Sequence, residues 1–172
     1  MSWQLDSSHT QIHFSVKHMM ISTVRGQFNS FTAEAEIDPS DFSKSSVVAT
    51  AEVASISTGE AQRDGHLRSA DFFDGDNHPT LTLKSRKVTK KGDDVTVEAD
   101  LTIRGITQPI TLQGELTGPL KDPWGNERVG FSVTGELERE KFDLKWNQAL
   151  EAGGVLVGKK VKLELEGEFI KK

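Results

Sequence analysis

Cysteine is absent from the 172 residues. That absence excludes a disulfide framework, a thiolate nucleophile, zinc held by sulfur and iron–sulfur chemistry. Long apolar runs are missing as well. The opening MSWQLDSSHTQIHF has neither a basic leader nor the apolar stretch of a secretory signal, and no later segment approaches the roughly 18 apolar residues of a membrane span. As written, the chain is expected in the cytoplasm and not inserted in a membrane; an exported protein whose signal had been removed would begin in the same way. A concentration of positive charge is lacking too. Formal net charge is −5, and the lysine pairs at 90–91, 159–160 and 171–172 are separated by acidic residues, so they read as solvated strand ends and turns. Nucleic acid is not an expected partner.

What the sequence does contain is alternation. Ile12, Phe14 and Val16 stand between His13, Ser15 and Lys17, the pattern of a strand with one wet face. The same period recurs at Ala33, Ala35 and Ile37; at Val47, Ala49, Ala51 and Val53; at Leu81 and Leu83; and from Val95 to Ile103. Later sets run from Ile110 to Leu116, from Val129 to Leu137 and from Val161 to Phe169. Turn chemistry at Asp38-Pro39-Ser40, Lys91-Gly92-Asp93, Asp122-Pro123-Trp124-Gly125-Asn126 and Gly153-Gly154 separates them into about eight strands. No shift in composition or fixed repeat divides the chain, so residues 1–172 read as one all-β domain. One segment breaks the period: after Ser57-Thr58, the stretch GEAQRDGHLRSADFF predicts a short helix over about 59–70 with an apolar exit at Phe72-Phe73. A second short irregular piece is expected at His18-Met19-Met20-Ile21.

Two features suggest a hollow rather than a filled barrel. The segment from Val24 to Ile37 makes a 14-residue strand if unbroken, and strands of that length at a tilt near 40° give a barrel on the order of 30–35 Å tall. Inward positions also carry small residues: Ala33, Ala35, Ala49, Ala51, Ala99, Gly114, Gly135 and Gly167. In an eight-stranded barrel, small inward residues leave a void for one slender apolar guest. The competing reading is a taper that mixes small and large residues, with glycines marking bends or close approaches. The polar alternate face must meet water, which excludes an outer-membrane barrel.

The residues assigned to the lumen are Phe14, Val16, Met19, Met20, Phe28, Ala33, Ala35, Ala49, Ala51, Leu83, Ala99, Leu101, Phe131 and Trp146. Methionine adapts to irregular guests, although Met19 and Met20 read equally well as core under a loop. Arg63, His66 and Arg68 on the helix are head-group candidates, a cation at the barrel rim being suited to phosphate or another polar end; the alternative is that the arginines pair with Asp64, Asp71 or Asp74 and dock the helix. Metal and catalysis find little support. His9 and His13 lie four residues apart on a strand, about 13 Å, too far to share an ion without a bend. Asp64, His66 and Asp71 are accompanied by no GxSxG, HExxH or phosphate-cradling loop. No cofactor, metal or catalytic residue is therefore expected.

Residues 5–28 (LDSSHTQIHFSVKHMMISTVRGQF), 63–80 (RDGHLRSADFFDGDNHPT), 101–116 (LTIRGITQPITLQGEL) and 136–169 (ELEREKFDLKWNQALEAGGVLVGKKVKLELEGEF) closely resemble the YceI-like family of bacterial, lipocalin-like, polyisoprenoid-binding proteins. The resemblance runs nearly end to end, with the blocks in the family's order. It implies an extended eight-stranded antiparallel barrel closed by a helix, often a homodimer, with a polyprenyl or similar long-chain lipid threaded through the lumen. Many such proteins are exported to the periplasm behind a signal peptide. Asp143 departs from the family's usual glycine, Gly65 from its alanine and Leu83 from its phenylalanine. The implied function is binding, storage or transport of an isoprenoid-like amphiphile; the alternatives are an enzyme acting on a lipophilic substrate in the same cavity and a broad scavenger of hydrophobic compounds in stress.

Overall fold

The computed structural model describes residues 2–150 and 154–172. Its strands are β1 (Ser2–Leu5), β2 (Gln11–His18), β3 (Ser22–Phe28), β4 (Phe31–Glu36), β5 (Ser46–Glu52), β6 (Ile56–Ser57), β7 (Thr80–Lys91), β8 (Asp94–Ile103), β9 (Ile106–Lys121), β10 (Glu127–Glu138) and β11 (Val157–Lys171). One α-helix, α1 (Ala61–Arg68), separates β6 from β7. Alternation translates directly into burial. On β8, Val95, Ala99, Leu101 and Ile103 are buried while Glu98 and Asp100 occupy the opposite face.

The strands pair antiparallel in the order β1-β4-β5-β7-β8-β9-β10-β11, and β1 closes the ring by pairing with β11 at Trp3↔Lys171. This is a closed eight-stranded antiparallel barrel. β2, β3 and β6 extend three of its staves: β2 continues β1 along β11, β3 leads into β4, and β6 follows β5 to pair with β3. The stave from Val24 to Ile37 is not one continuous strand. Asn29 and Ser30 interrupt it, and their backbones are taken up by Ser55 O and by Glu52 N–H. Across that gap the apolar parity changes, from Val24 and Phe28 to Phe31, Ala33 and Ala35, so a break is needed to keep both halves facing inward.

The helix is two residues shorter at each end than its predicted span, running over 61–68 rather than about 59–70. Neither Ser57 nor Thr58 caps it. Instead the Asp64 carboxylate, buried, accepts from the Thr58 N–H at 2.8 Å and the Thr58 hydroxyl at 2.6 Å, locking the incoming chain to the first turn.

One end of the barrel is filled by Trp3, fully buried among Ala33, Ala35, Ile37, Val129 and Phe169. Beside it Arg128 bridges three carboxylates, Asp122 at 2.8 Å, Asp6 at 2.8 Å and Glu168 at 2.9 Å. Asp122 is pulled down to about 2, first by its Arg128 hydrogen bond and then by the Asn126 and Trp124 N–H groups. Asp6 falls well below the usual carboxylate range through its hydrogen bond to Ser8 and then through Arg128.

Candidate functional site

Within the barrel lie two cavities, one of about 320 Å³ toward α1 and one of about 140 Å³ toward the Trp3 end. Ile12, Ala49, Leu83 and Leu165 belong to the walls of both, so they form the neck where the chambers meet. Apolar side chains dominate both walls. Most of the wall is surface that water leaves at a gain of roughly 25 cal/mol per Å², with Lys17, His18, Arg63, His66 and Arg139 as the ionisable side chains in the larger cavity.

The α1 end is roofed by rings. His66 stands edge-on to Trp146 at 4.6 Å between centroids and to Phe72 at 5.1 Å, and Phe73 stands edge-on to Phe28 at 6.1 Å. Arg104 fastens this roof by donating to the Phe72 carbonyl at 2.9 Å. His66 Nε2 also meets Asp71 Oδ2 at 2.9 Å. Arg63 donates through Nε to the Thr58 hydroxyl at 2.7 Å and through Nη2 to the Thr58 carbonyl at 2.9 Å.

Arg139 reaches the same cavity from the 3-10 turn Arg139–Phe142. It is only 2% exposed. Its guanidinium donates to the carbonyls of Gly158 at 2.7 Å, Trp146 at 3.0 Å, Val157 at 3.2 Å and Leu144. Burial pushes it below its ordinary pKa, with Glu140 opposing that shift.

Of the residues assigned to the lumen from the sequence, Phe14, Val16, Phe28, Ala49, Ala51, Leu83, Leu101 and Trp146 line the larger cavity, and Ala33, Ala35 and Phe131 line the smaller. Ala99 does not. It is wholly buried in the packed core, outside both cavity walls. Met19 and Met20 lie outside the walls as well, 41% and 63% exposed at the tip of the β2–β3 hairpin, where both adopt positive φ. Arg63 and His66 line the mouth, whereas Arg68 does not.

The inward glycines are close approaches rather than lining. A Cβ on Gly114 would stand 1.9 Å from the Ser132 carbonyl oxygen, and one on Gly167 would stand 2.2 Å from Thr10 Oγ1. The sequence reading missed Arg139, Lys17 and His18 as parts of the wall. Arg139 sits in the run Glu138-Arg139-Glu140-Lys141, which reads as a solvated surface; its one local signal is Phe142 three residues on, buried beside it.

Among the described residues, Asp6, His9 and Glu168 form the grouping with metal-ligand reach. Arg128 already occupies both carboxylates. The chemistry of that cluster is an ion-pair network rather than a metal centre.

A closed eight-stranded antiparallel barrel with a helix-roofed apolar lumen defines a lipocalin-like fold. The chain belongs to the YceI-like family: residues 3–169 match the YceI-like domain. It is 41% identical over 169 residues to UPF0312 protein SAB2563 of Staphylococcus aureus, covering 98% of this chain and 96% of that protein. The YCEI protein of Campylobacter jejuni superposes with a TM-score of 0.78 at 29% identity, over 91% of this chain and 90% of that one. Burkholderia cenocepacia BcnA superposes at 0.81 with 19% identity over 98% and 99% of the two chains. A polyisoprenoid binding domain from Saccharophagus degradans superposes at 0.73 with 14% identity over 99% and 98%. The last two, at these identities, show the fold alone.

Proposed function

We infer that the protein binds, and stores or carries, a slender isoprenoid-like lipid inside its barrel. The observation that carries this reading is the larger cavity, about 320 Å³ of apolar space with basic side chains at one end only. A methylene occupies nearly the volume of a water, roughly 30 Å³, so the chamber accommodates on the order of ten carbons. The second chamber, about 140 Å³, extends the path past the neck. Burying ten carbons at ~0.8 kcal/mol each is worth about 8 kcal/mol gross, less the freedom the chain loses and the shelter it leaves in a membrane. The head of the guest belongs at the α1 mouth, beside Arg63 and His66.

Membership in the YceI-like family and the fold shared with a polyisoprenoid binding domain support a binding role over catalysis. No specific observation favours turnover of a substrate. Among the described residues, no helix is long and apolar enough to cross a membrane.

Native mass spectrometry of freshly purified protein, followed by extraction of what denaturation releases, tests this. A stoichiometric prenyl-chain adduct is the expected result, and the same spectrum reads the assembly mass, where the family resemblance leads us to expect a homodimer. An empty protein that also refuses prenyl lipids on incubation would overturn the reading. Adducts of many unrelated compounds, without preference for chain length, would replace it with general scavenging.

A further inference from the structure

The β2–β3 hairpin ends in three exposed apolar side chains. Met19, Met20 and Ile21 are 41%, 63% and 82% exposed, and none of them belongs to either buried cluster. The turn closes through the Ile21 N–H, which donates to the His18 carbonyl at 3.2 Å, and its two central residues, Met19 and Met20, have φ of 52° and 64°. A two-residue turn of this kind suits Asn-Gly, and methionine holds it under strain. Neither the turn nor the core therefore accounts for the residues found there.

The tip is fixed in place at the rim of the larger cavity. The Met19 N–H donates to the Leu156 carbonyl at 2.8 Å, and Gly154 lies so close to the Met20 sulfur that a Cβ there would collide with it. Lys17 and His18, just before the tip, and Leu156 and Val157, beside it, all line that cavity. Charge at this end runs against the net −5 of the chain, because residues 7–33, which hold the whole hairpin, contain no Asp or Glu. Along β11 the pairing with β2 is irregular between Val157 and Val161, and there Lys159 and Lys160 are exposed next to Lys17. Acids border the patch: Glu138, the register partner of Lys160, is 3.7 Å from Lys141, Glu164 is 3.3 Å from Lys162, and Glu151 lies outside the described residues.

We propose that this tip docks the protein on an anionic lipid bilayer. Met19, Met20 and Ile21 enter the boundary of the acyl chains, and Lys17, Lys159 and Lys160 meet the head-group phosphates. A convex tip of three residues falls far short of the roughly 800 Å² per partner that a stable protein interface buries, whereas shallow insertion needs only a few large apolar side chains in a basic surround. Methionine adapts to a fluid surface. The same bilayer repels the acidic remainder of the protein, which sets the cavity rim against the membrane. Resting on the lumen reading above for what is exchanged, a guest enters from the bilayer or returns to it at that rim.

Flotation of the intact protein with vesicles tests this, using phosphatidylcholine alone and phosphatidylcholine mixed with phosphatidylglycerol, at low and high salt. Partition should favour the anionic vesicles by about tenfold or more and weaken as salt rises. Met19→Asn combined with Met20→Gly installs the residues the turn prefers, so the melting temperature does not fall while partition drops by about tenfold. A tip with a structural role alone would move only the melting temperature. Lys159→Gln combined with Lys160→Gln also lowers partition by about tenfold, with the apolar tip intact. Trp124, 80% exposed on the β9–β10 turn beside Asp122, is the control, and Trp124→Ser leaves partition unchanged.

Absence of binding to anionic vesicles, equal binding to both compositions, or partition unaltered in both double variants would overturn the docking proposal while leaving the lumen reading standing. Docking that persists in a protein which takes up no prenyl lipid would overturn the lumen reading alone. A loss in Trp124→Ser equal to that of the methionine variant would overturn the assignment to this hairpin. A halved assembly mass in the methionine variant would make the tip a contact between copies of the chain, and would overturn the proposal too.

Discussion

Phe14 lies across Gly26, its register partner on the neighbouring strand, so closely that a Cβ on Gly26 would stand 2.3 Å from Phe14 Cζ. The ring covers bare backbone and packs 5.7 Å, centroid to centroid, from Phe28, with both rings in the wall of the larger cavity. Gly26→Ala must push the ring off that seat and into the space a guest would use. Overpacking of this kind costs about 1–3 kcal/mol, so the melting temperature should fall by roughly 3–10 °C, with lipid uptake reduced in the protein that remains folded. Scanning calorimetry and uptake of a prenyl alcohol check both parts. An unchanged melting temperature would mean that Phe14 has another resting place.

The neck formed by Ile12, Ala49, Leu83 and Leu165 makes chain length a readable quantity. Ala49→Leu narrows it and denies the guest the chamber of about 140 Å³ beyond. That chamber holds on the order of five carbons, worth up to ~4 kcal/mol gross, and about ten- to hundredfold in affinity once ordering costs are subtracted. Long prenyl chains should lose that affinity while guests short enough for the first chamber keep theirs. Leu83→Ala should act in the opposite direction. Comparing a short and a long prenyl alcohol by native mass spectrometry separates the two variants.

Ala51 and Ala99 show how far the sequence carries. Both lie on inward faces of alternating strands, and period two alone identified them as such. Only Ala51 borders a cavity, because whether a small residue faces a void depends on the side chains of strands that meet it from other staves. The reach of side chains from those other staves is not written in local spacing. Ala99→Leu is therefore a core-overpacking change, expected to cost stability of about 1–3 kcal/mol, rather than a plug in the lumen. The stave break at Asn29-Ser30 was legible in the parity change between Phe28 and Phe31. The burial of Arg139 was not, since a charged residue flanked by Glu138 and Glu140 gives every sign of a solvated face. Met19 and Met20 combined an ambiguous composition with a turn whose positive φ values no local pattern announces.

Asp143 occupies the left-handed region, φ 62° and ψ 23°, at the end of the 3-10 turn that carries Arg139. Its backbone N–H donates to the carbonyl of Glu140 at 3.1 Å, and its ion pair with Lys145 at 3.6 Å is exposed and contributes little. Glycine adopts this conformation without the Cβ penalty, at the cost of greater freedom in the unfolded chain. Asp143→Gly should stabilise the protein by about 0.5–1 kcal/mol, a rise of roughly 1–4 °C in melting temperature. A fall on thermal denaturation would show that the carboxylate does more for the turn than its geometry suggests.

Arg128 gathers Asp6, Asp122 and Glu168, and so ties the connection between β1 and β2 and the β9–β10 turn to β11. Asp122 titrates at about 2 in the folded protein against an ordinary 3.8, and Asp6 is lowered as well. A folded-state value below the unfolded one means that the unfolded chain binds protons first as pH falls. The stabilisation is therefore present above pH 3.8 and disappears as pH drops through about 2. Arg128→Met leaves three carboxylates facing one another without their cation. At neutral pH its melting temperature should lie several degrees below that of the unaltered protein. Between pH 4 and 2 the two melting temperatures should converge, because protonation removes both the attraction in one protein and the repulsion in the other. A gap that stays constant across this range, measured by calorimetry, would assign the loss to the packing of the arginine stem instead of its charge.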